Sequence, residues 1–377
     1  MATPAIKELY RPNHDEASRQ EFVGVFKGLA NGKLEAILGD KFTSDYVKAY
    51  AREHGKEPQT RQEAVEAMRA QHLYQLWGSL VYTSQDLMWE TCGETVDRQR
   101  EAFEERAAAV LGRENKLGSL TLDPKLARPH PIASREVHRQ PGGYFYEADD
   151  ADLTTALLYL SSIELYRTAK GLSSGADTGE PGMGRFMMHH LKQRFPALKP
   201  KRVLDLGCAI GTETLALHEA FPDAEVHGLD LSGPMLRFAH MWAEEQGTPV
   251  HYREANAADT GYPDDHFDVV MSHILFHETG PKILPAIMPE VERILAPGGV
   301  FINGDVPYQP AQIPLHRQAL NSWQVQHNGE FFWNGFADTD VSSAMATAGF
   351  ASDNIFADYV PLGMGQYYVF GARKASA

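Results

Sequence analysis

Hydrophobic positions in the first third of the chain fall at helical spacing. Between about Glu21 and Leu111, the apolar residues Leu73, Leu76, Trp77, Leu80, Val81, Leu87 and Met88 recur close to every 3.6 residues, the stripe by which helices bury one face against each other. From Gly112 to Gly143 the period is lost and the text is punctuated by proline and glycine ("LARPHPIASREVHRQPGGYF"). That composition predicts a connector running over the surface or over a site. A further helix is predicted over Asp152 to Lys170. The Gly/Ser-rich "GLSSGADTGEPGMG" that follows marks the main boundary, between a helical N-terminal domain over 1–180 and a second domain over 181–377.

Beyond this boundary the pattern alternates. Strands are predicted over Arg202 to Leu206, Glu225 to Leu229, Val250 to Glu254, Phe267 to Ser272 and Gly299 to Gly304. Helices are predicted over Thr212 to Phe221, Pro234 to Gln246 and Lys282 to Leu295, the last stopped by Pro297 and a glycine pair. Short apolar strands alternating with helices imply an α/β fold with a doubly wound parallel sheet covered on both faces. An aromatic insertion at about 307–337 follows the fifth strand, and no internal repeat or low-complexity tract is present.

Composition narrows the function classes. A chain of 377 residues with 43% hydrophobic and 23% charged residues is an ordinary globular protein long enough for two units. A formal net charge of −15 repels a phosphate backbone, so nucleic acid is not an expected partner. No run approaches the ~18 apolar residues of a membrane helix, and the N-terminal text lacks the apolar core of a signal peptide, so a cytoplasmic protein without a membrane partner is expected. The two cysteines, Cys92 and Cys208, are far apart and lack metal-type spacing, so neither a disulfide framework nor a metal site is expected.

The stretch "VLDLGCAIGTETLAL", Val203 to Leu217, runs from strand through two glycines into a helix, where a doubly wound sheet binds its ligand. A dinucleotide fingerprint would need G-x-G-x-x-G, yet after Gly207 its other two glycine slots hold Ala209 and Thr212, and Asp205 would repel a pyrophosphate. A ligand that is cationic at this end fits better, and S-adenosylmethionine carries both an ammonium and a sulfonium. Asp230, in "VHGLDLS", stands 19 residues beyond Gly211, close to the ~20-residue offset of a ribose-binding acid. With "NAADTGYPDDHFDVVMSHILFHE" and "EVERILAPGGVFI", these segments resemble class I S-adenosylmethionine-dependent methyltransferases over about Gly184 to Lys374.

The resemblance implies a Rossmann-like seven-stranded sheet, with Asp205, Gly207 and Gly211 at the methionyl part, Asp230 on the ribose hydroxyls and Leu231 under the adenine. Asn256 and Ala257 match the family's usual Asp-Ala pair at the adenine, with an amide in place of the carboxylate, and Ser272 completes the expected cofactor set. For the chemistry, His273 and His277 follow the fourth strand. His277 matches a frequent histidine of the family and is the expected general base, the alternative being a loop-fixing role. The acceptor pocket is expected to draw on Tyr144, Tyr146, His316, Trp323, His327, Glu330 and Trp333, with the helical domain acting as a lid, a homodimer surface or both. The expected activity is methyl transfer to a small molecule. The alternative is a protein of this fold that binds the cofactor without methylating or uses S-adenosylmethionine for another reaction.

Overall fold

The computed structural model describes residues 10–130, 132–168, 183–306, 310–362 and 365–376. The Gly/Ser-rich boundary segment therefore lies almost wholly outside the described residues, as does the start of the insertion. The N-terminal half contains helix α1 (His14–Gly28), a chain of shorter helices over 29–69, the 40-residue helix α2 (His72–Leu111) and helix α3 (Thr154–Thr168). Between α2 and α3 the connector forms strand β1 (Ser119–Thr121).

The second half alternates as its pattern predicts: α4 (Met183–Arg194), β2 (Arg202–Leu206), α5 (Thr212–Ala220), β3 (Glu225–Asp230), α6 (Gly233–Glu245), β4 (Val250–Glu254), β5 (Phe267–His273), α7 (Gly280–Ile294) and β6 (Leu295–Asp305). Helix α8 (Leu315–His327) lies in the insertion, and α9 (Val341–Thr347) leads into the hairpin of β7 (Ile355–Leu362) and β8 (Gly365–Arg373). The strands form one sheet in the order β1-β4-β3-β2-β5-β6-β8-β7, parallel except for β8. Among the described residues, seven strands come from the second half.

The eighth strand, β1, departs from the all-helical N-terminal half expected. It pairs in parallel with β4, Ser119 opposite His251, so the N-terminal half is not purely helical and adds a strand to the sheet of the second half. Gly118 makes the approach fit, since a Cβ there would lie 1.9 Å from the Val250 carbonyl oxygen.

Alternating side chains send each strand into two cores. Leu204, Leu206, Val270 and Phe301 face α7 and α9 on one side of the sheet. Val203, Val226, Val269 and Ile302 face α4, α5 and α6 on the other. Helix α6 is buried on both sides. Leu236 and Ala239 meet the sheet, while Met235, Phe238, Met241 and Trp242 share a core with Met88, Trp89, Phe103 and Leu157 of α2 and α3. The halves thus have a common interior. Cys92 and Cys208 are buried free thiols. Among the described residues, no helix is long and apolar enough to cross a membrane.

Candidate active site

At the carboxyl ends of β2 and β3, two turns face each other. Gly207 sits at φ 80°, a conformation that L side chains rarely adopt, and a Cβ there would press on Leu275 at 2.8 Å. The Asp230 carboxylate is fixed by two backbone donors, with the Ala209 N–H donating to Oδ2 and the Ser232 N–H to Oδ1, both at 2.9 Å. Burial raises its pKa against those donors. Gly207, Asp230, Leu231, Asn256 and Ala257 all line one cavity of about 450 Å³.

The remaining expected cofactor residues lie elsewhere. Asp205 is 1% exposed, accepts a 2.6 Å hydrogen bond from the Thr214 hydroxyl, and does not line the cavity. Burial pushes its carboxyl up to about 8, so at neutral pH it presents no open negative charge. Ser272 is buried inside the sheet, donating to Asn303, and Gly211 (φ 83°) caps α5. The Asn256 Oδ1 accepts from the Ala258 N–H at 2.9 Å, a turn-forming bond that engages the oxygen expected to meet the adenine.

The same cavity continues past His273 to a cluster of acidic and imidazole groups. His277 follows β5 with its Nδ1 2.6 Å from Asp305 Oδ1 and its Nε2 3.2 Å from Glu278 Oε1. Burial opposes its charge, but Asp305 and Glu278 outweigh burial and hold the imidazole up to about 10. A buried ring with a carboxylate at each nitrogen is held toward its charged form, which does not favour the general-base role expected of it. Asp305 is itself fully buried and held by the N–H groups of Phe276 and Val306. His273 does line the cavity, with its Nε2 2.6 Å from the Tyr367 hydroxyl.

Sequence reasoning missed His138. This connector residue lines the cavity with Nε2 2.7 Å from Glu278 Oε1 and Nδ1 2.6 Å from Glu330 Oε1. Burial opposes its charge, yet Glu330 and Glu278 raise its pKa well above the usual value, and the Glu278 carboxyl is lowered despite its burial. The backbone is strained, with φ of 54° at His138 and 57° at Arg139. It is pinned because Gln85 Nε2 and Trp89 Nε1 both donate to the His138 carbonyl, at 2.7 and 2.9 Å, and the His138 N–H donates to Gly329. The available signal was the connector's proline and glycine punctuation, which predicts a path over a site without naming a residue.

Of the expected acceptor residues, Tyr144, Glu330 and Trp333 line the cavity. The others do not. Tyr146 is 51% exposed. His316 packs on Gly39 and Phe42, Trp323 on Trp77 with ring centroids 5.1 Å apart, and His327 on Trp323. These aromatics anchor α8 to the N-terminal helices, where Trp323 and His327 line a separate cavity with Tyr74 and Val65 rather than the one that holds Asp230. From the other side of the cavity comes Lys27 of α1, 1% exposed, with Nζ 2.5 Å from Gln85 Oε1 and 5.5 Å from the centre of the Tyr166 ring. Burial lowers its pKa to about 8.

A family described as "Methyltransferase domain" matches residues 203–299. An uncharacterised methyltransferase of Synechocystis is 30% identical over 175 residues, covering 44% of this chain and 75% of that protein. The chain belongs to the class I S-adenosylmethionine-dependent methyltransferases. The demethylmenaquinone methyltransferase of Thermus thermophilus is 39% identical to this methyltransferase over 111 residues, 29% of this chain and 50% of that one. The chain thus spans half the length of that relative. A solved structure of phosphoethanolamine N-methyltransferase 2 from Haemonchus contortus, in complex with S-adenosylmethionine, overlays with a TM-score of 0.40 at 16% identity, covering 51% of this chain and 52% of that one. The residues of this methyltransferase suit the family's cofactor: Gly207 leaves the backbone open to close approach, and the pinned Asp230 carboxylate keeps lone pairs for a ribose diol.

Proposed function

We propose that this protein transfers a methyl group from S-adenosylmethionine to a small, largely apolar acceptor that carries a hydroxyl or amine and an anionic end. The observation that carries this reading is that a single cavity is lined both by Asp230, Leu231 and Asn256 and by His138, Glu278 and Glu330. The bound cofactor supplies an electrophilic methyl carbon. The chain's own groups hold and orient the rest. Asp230 grips the ribose diol, and Leu231 and Ala257 flank the adenine. Met88, Trp89, Tyr159 and Ile163 of the N-terminal half wall the acceptor end and exclude water from it. The Glu278 and Glu330 carboxylates face the acceptor's hydrogen-bond donor, and Lys27 faces its anionic end. Two relatives named for small acceptors, the Thermus enzyme and phosphoethanolamine N-methyltransferase 1 of Arabidopsis thaliana, 36% identical over 109 residues, support a small molecule. A cytoplasmic setting suits such metabolism.

Two measurements test the assignment. Asp230→Ala should weaken S-adenosylhomocysteine binding by about 1.5–3 kcal/mol, the worth of hydrogen bonds to a charged group, in calorimetric titration. Unchanged affinity would remove Asp230 from the site. With methyl-labelled cofactor and a metabolite extract, the protein should label small anionic products. Lys27→Met should raise the acceptor KM roughly tenfold or more for the same reason, leaving homocysteine-product affinity unaltered. An acceptor handled equally well by this variant would show that Lys27 does not face it.

A further inference from the structure

Four side chains from three distant stretches converge at the edge of the cavity: His138 from the connector, His277 and Glu278 after β5, and Glu330 from the insertion. One nitrogen or oxygen atom from each lies within 4.8 Å of the others. Their mutual contacts leave acceptor capacity unspent. Glu278 Oε1 is 2.7 Å from His138 Nε2 and 3.2 Å from His277 Nε2, yet no N–H points at it well enough to make a hydrogen bond. Glu330, 8% exposed, uses Oε1 toward His138, and its buried Oε2 has no partner. A buried carboxylate oxygen without a donor is costly, and a cation is one group that would satisfy both.

We propose that His138, His277, Glu278 and Glu330 bind one divalent first-row transition-metal ion at the acceptor end of the cavity. Three further features support it. His277 turns its other nitrogen to the buried Asp305 carboxylate at 2.6 Å, the outer partner that orients ligating imidazoles and raises their basicity. The strained left-handed backbone at His138 is held by Gln85, Trp89 and Gly329, and strain of this kind clusters at ligand sites. Charge also permits it, because a divalent ion with both imidazoles neutral leaves against Glu278, Glu330 and Asp305 the same single uncompensated negative charge that two imidazolium rings leave. Two nitrogens with two carboxylates favour zinc, iron(II) or manganese over magnesium or calcium, which select all-oxygen sites. The ion would take an acceptor oxygen as a further ligand. Only that last step rests on the proposed methyl transfer.

The test uses the full chain stripped with a chelator, titrated with cobalt(II) followed in the visible spectrum and with zinc by calorimetry. The expected result is one ion per chain, with zinc displacing cobalt and excess magnesium failing to do so. Asp305→Asn, a positioning change, should weaken binding ~10–100-fold, and His138→Gln and Glu330→Gln should abolish it. Each variant's unaltered binding of S-adenosylhomocysteine would show that the fold is kept. Pulsed electron paramagnetic resonance of the manganese-loaded wild type should show coupling to two imidazole nitrogens, a readout that needs no variant. No stoichiometric cobalt binding, no nitrogen coupling, or binding undiminished in His138→Gln and Glu330→Gln would each overturn the site. Wild-type protein that binds S-adenosylhomocysteine but no metal would sink this inference alone. Metal binding without cofactor binding would sink the functional reading instead.

Discussion

A chain that begins at Met183 fails to fold into a soluble, cofactor-binding protein. The reason is the double burial of α6. Its sheet-facing side is covered in such a fragment, but Met235, Phe238, Met241 and Trp242, together with Ile210, lose the α2 and α3 side chains that cover them. Burying one large apolar side chain is worth about 1.5–3 kcal/mol. Exposing five of them therefore costs on the order of 10 kcal/mol, comparable to the entire ~5–15 kcal/mol stability of a typical protein. Size-exclusion chromatography should show aggregation, and near-ultraviolet circular dichroism should show lost tertiary packing. A monomeric fragment that binds S-adenosylhomocysteine as tightly as the whole chain would restore the picture of a detachable lid.

The second large effect runs opposite to intuition for a motif residue: Asp205→Asn stabilises the ligand-free protein at pH 7, by on the order of a few kcal/mol. Burial, reinforced by the Glu213 and Asp230 carboxylates against the Thr214 hydroxyl, holds this carboxyl at about 8 in the fold, where the ordinary value is 3.8. Between those values the folded chain carries a proton that the unfolded chain has released. Stability is therefore fully kept below the unfolded value of 3.8 and is lost as the pH climbs toward 8. Asparagine retains an oxygen for the Thr214 hydroxyl and has no proton to take up. Urea unfolding from pH 4 to 8 should show the wild type falling away from a flatter variant. Parallel curves would mean that Asp205 is ionised in the fold.

The parts of this molecule that were legible in its sequence are those written by short-range pattern. The strand, turn and helix over 203–220 and the Asp230 offset are local features, and the residues that define them are neighbours in the text. His138 could not be found this way. Its imidazole is fixed by Glu278 and Glu330, 140 and 192 residues onward, and the connector that carries it has no period. The aromatic insertion misled for the complementary reason. Composition shows that Trp323 and His316 need burial but not against what, and α8 spends them on Trp77 and Phe42. His277 was correctly placed by its strand. Its protonation depends on Asp305, at the end of the next strand but 28 residues away in the text, which spacing alone does not bring beside it.

The pairing of β1 with β4 has a consequence for how the chain comes into being. Synthesis releases α1, α2 and β1 first, yet the strand that β1 joins, Val250–Glu254, and the helix that covers Trp89 and Phe103 emerge more than a hundred residues later. Contacts of such long range close slowly. Until then the part of the apolar face of α2 that α6 covers stands open to other nascent chains, the circumstance in which aggregation competes with folding. Acquisition of the native state is thus set by the last-made sheet, and the N-terminal half waits for it. Codon-level slowing would prolong that exposure, and chaperone capture that helps this protein should act while the helices alone are exposed, before about residue 254 has cleared the ribosome.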